Sequence, residues 1–322
     1  MMTARESGAN PAIVHLGQGV YAIDTQMGGY TGITASYLIT GERPCLVETG
    51  TAYSAPVIRE ALASLGVGPH DLATIVVTHV HLDHAGGVGD VAESFPTAEV
   101  VVHERGARHL VDPERLMRSA RRVFGTLLDE VFGPLRPVDS ARVRALAETD
   151  SIDLGGGRIL RGYYSPGHAQ HHVALLDEAT GDLYVGDAAG VYVPETRDVR
   201  PATPPPDFDL ESACASLQRF RELQPTRLLF SHFGPVRDTL STLDRAEEEL
   251  RLWVELAREA RAHHLELEHA VAMVQERTKQ RYAAWSASPD VQRKFERLNS
   301  TAANLAGINR WLDQLEAQEA QS

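Results

Sequence analysis

The sequence predicts an α/β fold made of two strand-rich halves, with a helical insertion between them and a helical tail. Three observations carry this. Short continuous apolar runs alternate with helix-spaced segments in the first half, the rhythm breaks over residues 113–133, and only helical spacing remains after residue 239.

In the first half, Val20-Tyr21-Ala22-Ile23 and Ala35-Ser36-Tyr37-Leu38-Ile39-Thr40 read as strands. Gly41-Glu42-Arg43-Pro44 is a turn, and Cys45-Leu46-Val47-Glu48 resumes an apolar strand. Val57, Ile58, Ala61, Leu62 and Leu65 recur at helical spacing, with Gly66 as the stop. Ala73-Thr74-Ile75-Val76-Val77 is apolar throughout, as a strand covered on both faces must be. A helix over 88–94 and a strand at Glu99-Val100-Val101-Val102 follow.

Leu116, Met117, Val123, Phe124, Leu127, Leu128, Val131 and Phe132 then recur at helical spacing up to Gly133-Pro134. This run is expected to pack against the C-terminal helices, to serve as a lid, or both. Strands return at 159–164, 172–176 and 183–186. A proline-rich connection, a helix over 210–223 and a buried strand at Arg227-Leu228-Leu229-Phe230 complete this half. Leu243, Leu250, Val254, Ala257 and Arg261 then share one face of a long helix, and Ser288-Pro289 breaks the helical tail. The run Glu247-Glu248-Glu249 is read as a solvated helix face. The expected organisation is a catalytic domain over 1–238, with the insertion at about 106–146, and a helical extension over 239–322.

Apolar residues make up 43% of the 322, charged residues 23%, and the formal net charge is −13. Such a balance lacks the positive footprint that a nucleic acid backbone requires. Two cysteines, Cys45 and Cys214, cannot form a disulfide framework and are read as small core residues. Residues 1–11 are polar, without the apolar core of a signal peptide, and no run approaches the roughly 20 apolar residues of a membrane span. A soluble cytoplasmic protein without membrane or nucleic acid partners is expected.

The chemistry concentrates where strands end. Thr78-His79-Val80-His81-Leu82-Asp83-His84 follows the strand Ala73-Thr74-Ile75-Val76-Val77. In extended chain, His79 and His81 project to the same side and can grip one ion. Asp83 and His84 follow a turn, which lets them face a neighbouring ion, and Ala85-Gly86-Gly87 permit that turn. His168 in Pro166-Gly167-His168, Asp187 in Gly186-Asp187, and His232 in Ser231-His232 also stand at strand ends. His15, His70, His103, His109, His263 and His264 are read as surface or packing residues. His171 and His172 are second-shell or substrate-facing candidates. Tyr192 is read as a packing residue, or else as a donor to substrate.

Over residues 12–237 these motifs resemble the metallo-β-lactamase-fold hydrolase superfamily, in its glyoxalase II-like branch. The resemblance implies a four-layered αββα sandwich with the site at the rim between two sheets. It implies one metal held by His79, His81 and His168, a second held by Asp83, His84 and His232, and Asp187 bridging both. One position departs from the family pattern: Val47-Glu48-Thr49-Gly50 carries glutamate where aspartate is usual. The longer Glu48 side chain must fold back or reach a different partner.

Imidazole and carboxylate ligands suit zinc, the default here, and also iron or manganese. The expected activity is dinuclear hydrolysis of a small ester, thioester or lactone through a metal-bridging hydroxide, with Asp83 orienting the nucleophile and taking its proton. A small-molecule phosphodiesterase is the second enzymatic reading. A non-catalytic metal- or ligand-binding protein of the same fold is the third. A homodimer through the helical segments is the expected assembly.

Overall fold

The computed structural model describes residues 12–148 and 150–320. The polar opening stretch and the end of the tail, where the signal-peptide and fraying expectations fall, lie outside the described residues. Contacts divide the chain into two compact units. One comprises Met1–Val77, His81–Val101 and Arg108–Arg144; the other comprises Thr78–Val80, Val102–Ala107 and Ala145–Ser322.

Seven of the described strands form the first sheet, and they lie side by side in chain order. They are β1 (Ile13–Gly17), β2 (Val20–Asp24), β3 (Ala35–Ile39), β4 (Cys45–Val47), β5 (Thr74–Val76), β6 (Glu99–His103) and β7 (Val143–Leu146). β1 to β4 pair antiparallel, while β4, β5 and β6 pair parallel. Parallel neighbours need crossovers, and α1 (Ala55–Ser64) and α2 (Val88–Ser94) supply them. α1 buries Ala55, Ile58, Ala61 and Leu62 at helical spacing and packs on α2. The strand at 13–17 escapes sequence reading because Val14 is exposed and the strand lies at the sheet edge, where apolar alternation is weak.

The expected helical insertion needs correction at two points. α3 (Glu104–Val111) and α4 (Glu114–Phe124) are helical, but Gly125, at φ +55°, ends α4, and Leu128–Phe132 forms a separate π-helical turn. That turn packs against Met27–Gly29 and Ala52–Ser54. Val123, Phe124 and Leu127, expected to be covered, are exposed. The far end of the insertion, placed at 146, is strand rather than helix. Arg142 draws the chain there by donating to the carbonyls of Ala92, Phe95 and Ala98, and β7 follows directly as an edge strand.

In the second unit, β8 (Ser151–Asp153), β9 (Ile159–Tyr164), β10 (Val173–Asp177) and β11 (Asp182–Gly186) form the second sheet with two later strands. β12 (Val191–Val193) and β13 (Asp198–Arg200) make a small antiparallel ribbon. α5 (Leu210–Glu222) leads to β14 (Arg227–Phe230) and β15 (Gly234–Val236). The sheet order is β15-β14-β11-β10-β9-β8, antiparallel except for β11 beside β14.

The tail consists of α6 (Thr239–Ala262), α7 (Leu267–Thr278), α8 (Pro289–Leu298) and α9 (Thr301–Glu319). These helices share one apolar cluster with α5 and the second sheet, centred on Leu217, Phe220, Trp253, Val254 and Ile308. The stripe Leu243, Leu250, Val254, Ala257 is buried, and Arg261 at its end pairs with Asp313 and Glu316 of α9. Glu249 contradicts its reading as a solvated residue. It is fully buried and accepts from Tyr282 Oη and Arg281 Nε, a satisfied network that locks α6 to the chain after α7. Among the described residues, no helix is long and apolar enough to cross a membrane.

Candidate metal centre

β5 delivers the chain into a turn closed by hydrogen bonds from the His84 and Ala85 amides to the His81 carbonyl, 3.1 and 2.8 Å. Asp83 Oδ2 comes 3.7 Å from His84 Nε2. The segment after β4 clamps this turn from behind. The Thr49 amide and hydroxyl donate to the His84 carbonyl at 2.8 and 2.9 Å, and Gly50 bridges to Ala85. Gly86 is required by crowding: a Cβ there would lie 2.1 Å from the Leu82 carbonyl oxygen and 3.0 Å from Thr51 Cα.

Glu48 resolves the departure from the family pattern. It is buried, its backbone is left-handed at φ +67°, and its Oε1 lies 3.7 Å from His84 Nδ1. The longer side chain therefore reaches the His84 ring on the edge opposite the one near Asp83.

In the second unit, Asp187 follows β11. Its Oδ2 lies 3.6 Å from His168 Nε2, and its Oδ1 lies 3.6 Å from His232 Nε2. One carboxylate thus faces two different imidazoles. The Ala202 carbonyl sits 2.8 Å from His168 Nδ1, which places the proton on Nδ1 and leaves the Nε2 lone pair towards Asp187. His172 is buried between these parts: its Nε2 accepts from the Asp187 amide at 3.1 Å, so Nδ1 carries the proton and donates to Ser165 Oγ at 2.8 Å. Gly186 permits this approach, since a Cβ there would meet His172 Nε2 at 2.4 Å.

His79 is fully buried with Nδ1 3.0 Å from Thr78 Oγ1. Around its ring stand His168 edge-on at 4.9 Å, His172 at 5.0 Å and His171 stacked at 6.2 Å. His171 Nδ1 also faces the Val80 amide. Tyr192 stacks on Phe230, and its backbone exchanges hydrogen bonds with the His232–Phe233 segment, so it supports His232 through the main chain. Burial pushes its phenol above the ordinary range. A cavity of about 10 Å³ lined by His168, Asp187, Ala189, Ala202, Phe208 and Leu250 has room for about one water.

Three sets of ligand atoms lie within 4.8 Å of one another: His79, His81 and His168; His79, His84 and Asp187; and Asp83, His84 and His232. All seven predicted ligands are brought into these sets. The donor chemistry fits a divalent ion. Two ligand atoms on one tetrahedral ion, each at about 2.1 Å, stand about 3.4 Å apart. The 3.6 and 3.7 Å separations match that span and exceed hydrogen-bond length. Sequence reading missed Thr49, Thr78, Ser165 and the Ala202 carbonyl, which orient the site. Thr49 stood in a motif already singled out, while a backbone carbonyl 34 positions from its histidine leaves no mark in sequence.

A family model described as the metallo-beta-lactamase superfamily matches residues 29–232. A metallo-beta-lactamase fold-containing protein of Sulfurisphaera tokodaii is 34% identical over 165 residues, 50% of this chain and 60% of that protein. The match therefore spans less than two thirds of that relative. A probable metallo-hydrolase of Bacillus subtilis is 25% identical over 240 residues, covering 67% of this chain and 72% of its own. A metallo-beta-lactamase family protein from Thermus thermophilus has a similar structure, with a TM-score of 0.65 over 94% of this chain and 96% of its own. At 23% identity, that likeness speaks for the fold alone. With the family model covering well over half the residues, and the fold and ligand order in agreement, the chain belongs to the metallo-beta-lactamase superfamily.

Proposed function

We propose that this protein is a dinuclear metal-dependent hydrolase of an ester, thioester or lactone. The observation that carries the reading is Asp187, whose two oxygens face the Nε2 atoms of His168 and His232 separately. A carboxylate held in this way suits a bridge between two ions. One ion would be held by His79, His81 and His168, the other by Asp83, His84 and His232. Two bound divalent ions, zinc by default, would supply Lewis acidity and an activated water at neutral pH.

The chain's own residues divide the remaining work. Asp83 has a 22% exposed side chain, against 1% for His84 and 7% for Asp187. It is the ligand carboxylate open to solvent, and it orients the attacking water and takes its proton. Glu48 and His172 hold His84 and the Asp187 loop in place. The glyoxalase II-like motif order supports acyl chemistry, and the net charge of −13 favours small substrates over nucleic acid.

The test is a panel of aryl esters, thioesters, lactones and phosphodiesters with zinc-, manganese- or iron-loaded protein. Turnover of the acyl substrates, abolished by chelation and restored by metal, is expected. Turnover of phosphodiesters alone would replace this reading with phosphodiester hydrolysis. Metal binding with no turnover of any class would replace it with a binding role.

A further inference from the structure

Among the described residues, the helical tail supplies none of the clustered ligands, yet α9 lies against the chain on which His168 rests. The Ala202 carbonyl accepts from His168 Nδ1 at 2.8 Å. The amide of the same peptide unit belongs to Thr203, and it donates to Asn304 Oδ1 of α9 at 2.6 Å. The imidazole, the peptide unit and the asparagine thus form one hydrogen-bonded chain. A peptide unit is planar, so holding its N–H also fixes where its carbonyl points.

The neighbouring groups are held as well. Thr203 Oγ1 lies 3.0 Å from Asn304 Oδ1. Asn304 Nδ2 donates to Asn299 Oδ1, and Asn299 Nδ2 donates to the Pro201 carbonyl at 2.8 Å. Gly307 lets α9 come this close, since a Cβ there would stand 1.9 Å from the Thr203 carbonyl oxygen. The residue before His168 is tied to the same helix: the Asp209 amide donates to the Gly167 carbonyl at 2.9 Å, and Trp311 Nε1 donates to Asp209 Oδ2 at 3.1 Å. Asn304, Gly307 and Trp311 follow one another at helical spacing, so a single face of α9 makes all three contacts.

Asn304 is 2% exposed and Asn299 7%. Burying an amide side chain is costly unless it is fully bonded, and apolar residues would serve packing alone. Linked hydrogen bonds in a buried setting polarise one another. By accepting from the Thr203 amide, Asn304 makes the Ala202 oxygen a stronger acceptor. That oxygen in turn orients the His168 ring and makes Nε2 a better donor to a metal. We infer that Asn304 is a positioning residue for His168, acting through the Ala202–Thr203 peptide unit, so that the helical tail sets how tightly this imidazole grips a divalent ion. The inference rests on His168 being a metal ligand and is independent of the substrate class.

The test uses the full chain and two readouts, zinc affinity by competition with a chelator and the visible absorption of the cobalt-loaded protein. His168→Ala sets the scale of a lost ligand. Asn304→Leu should weaken zinc about 10-fold and alter the cobalt spectrum. Ile308→Ala is the control: it removes buried apolar surface from the same helix and no hydrogen bond, so it should lower stability in urea and leave both readouts unchanged. If Asn304→Leu does not fold, Asn304→Ser takes its place with the same expectation, because serine is too short to reach the Thr203 amide. Equal weakening by the Asn304 variant and Ile308→Ala, or unaltered affinity and spectrum in the Asn304 variant, would overturn the inference and leave the ligand reading standing. Unaltered affinity in His168→Ala would remove the ligand reading and the inference with it.

Discussion

The metal loop and the α4 arm are both connections attached to the first sheet, yet they are built in opposite ways. In the loop, His79 and His84 are 0% and 1% exposed, and the backbone is clamped by Thr49, Gly50 and Ala85. In the arm, Val123 is 61% exposed, and Arg118 and Arg121 find their carboxylate partners, Glu114 and Asp129, within the arm itself. Chemistry that needs atoms fixed to a fraction of an ångström is placed where the backbone cannot move. The arm, by contrast, holds its charged partners within itself and stands largely in solvent.

If this contrast is right, substitutions in the loop and its supports should be costly, and those in the arm mild. The largest effect belongs to Asp83→Asn, which keeps size but removes the proton acceptor. Hydrolysis should fall about 10²- to 10⁴-fold, measured as kcat at saturating metal. His172→Ala removes the acceptor of the Asp187 amide and should weaken metal affinity about 10- to 100-fold, read by competition with a chelator. Glu48→Gln keeps the reach to His84 without the charge, and a loss towards the lower end of that range is expected.

Gly86→Ala tests the clamp by stability. Its Cβ has no room beside the Leu82 carbonyl, and a loss of about 1–3 kcal/mol is expected in denaturant unfolding of the metal-free protein. Smallest of all, Val123→Ser in the arm should change stability by less than about 0.5 kcal/mol, because the side chain is mostly in water. A Val123→Ser penalty as large as that of Gly86→Ala would erase the contrast between the two regions.

The buried strands and the ligand loop were legible because their signals are local. Thr74–Val76 reads as a strand from its own residues, and His79 to His84 lie within six positions. The edge strands β1, β7 and β15 were not legible, because what defines them is a neighbour distant in sequence rather than an apolar pattern of their own. Glu249 misled for the same reason. A glutamate in an acidic run is ordinarily solvated, and only the approach of Tyr282 and Arg281, more than 30 positions away, makes its burial affordable. The apolar residues of 113–133 gave a helical period, but period alone does not say whether a face is covered. Gly125 breaks the run: Val123, Phe124 and Leu127 around it are exposed, whereas Leu128, Val131 and Phe132 beyond it are buried. The seven candidate ligands were readable as a set from the motifs, whereas the placement of Glu48 beside His84 emerged only from the distance between them.

The central claim is that Asp187 joins two ions. Elemental analysis of metal per chain, on the zinc-loaded protein and on Asp187→Asn after exhaustive dialysis, tests it most directly. The account predicts two zinc ions per chain in the unaltered protein and one or none in the variant. One ion per chain in the unaltered protein, or two retained in Asp187→Asn, would contradict it.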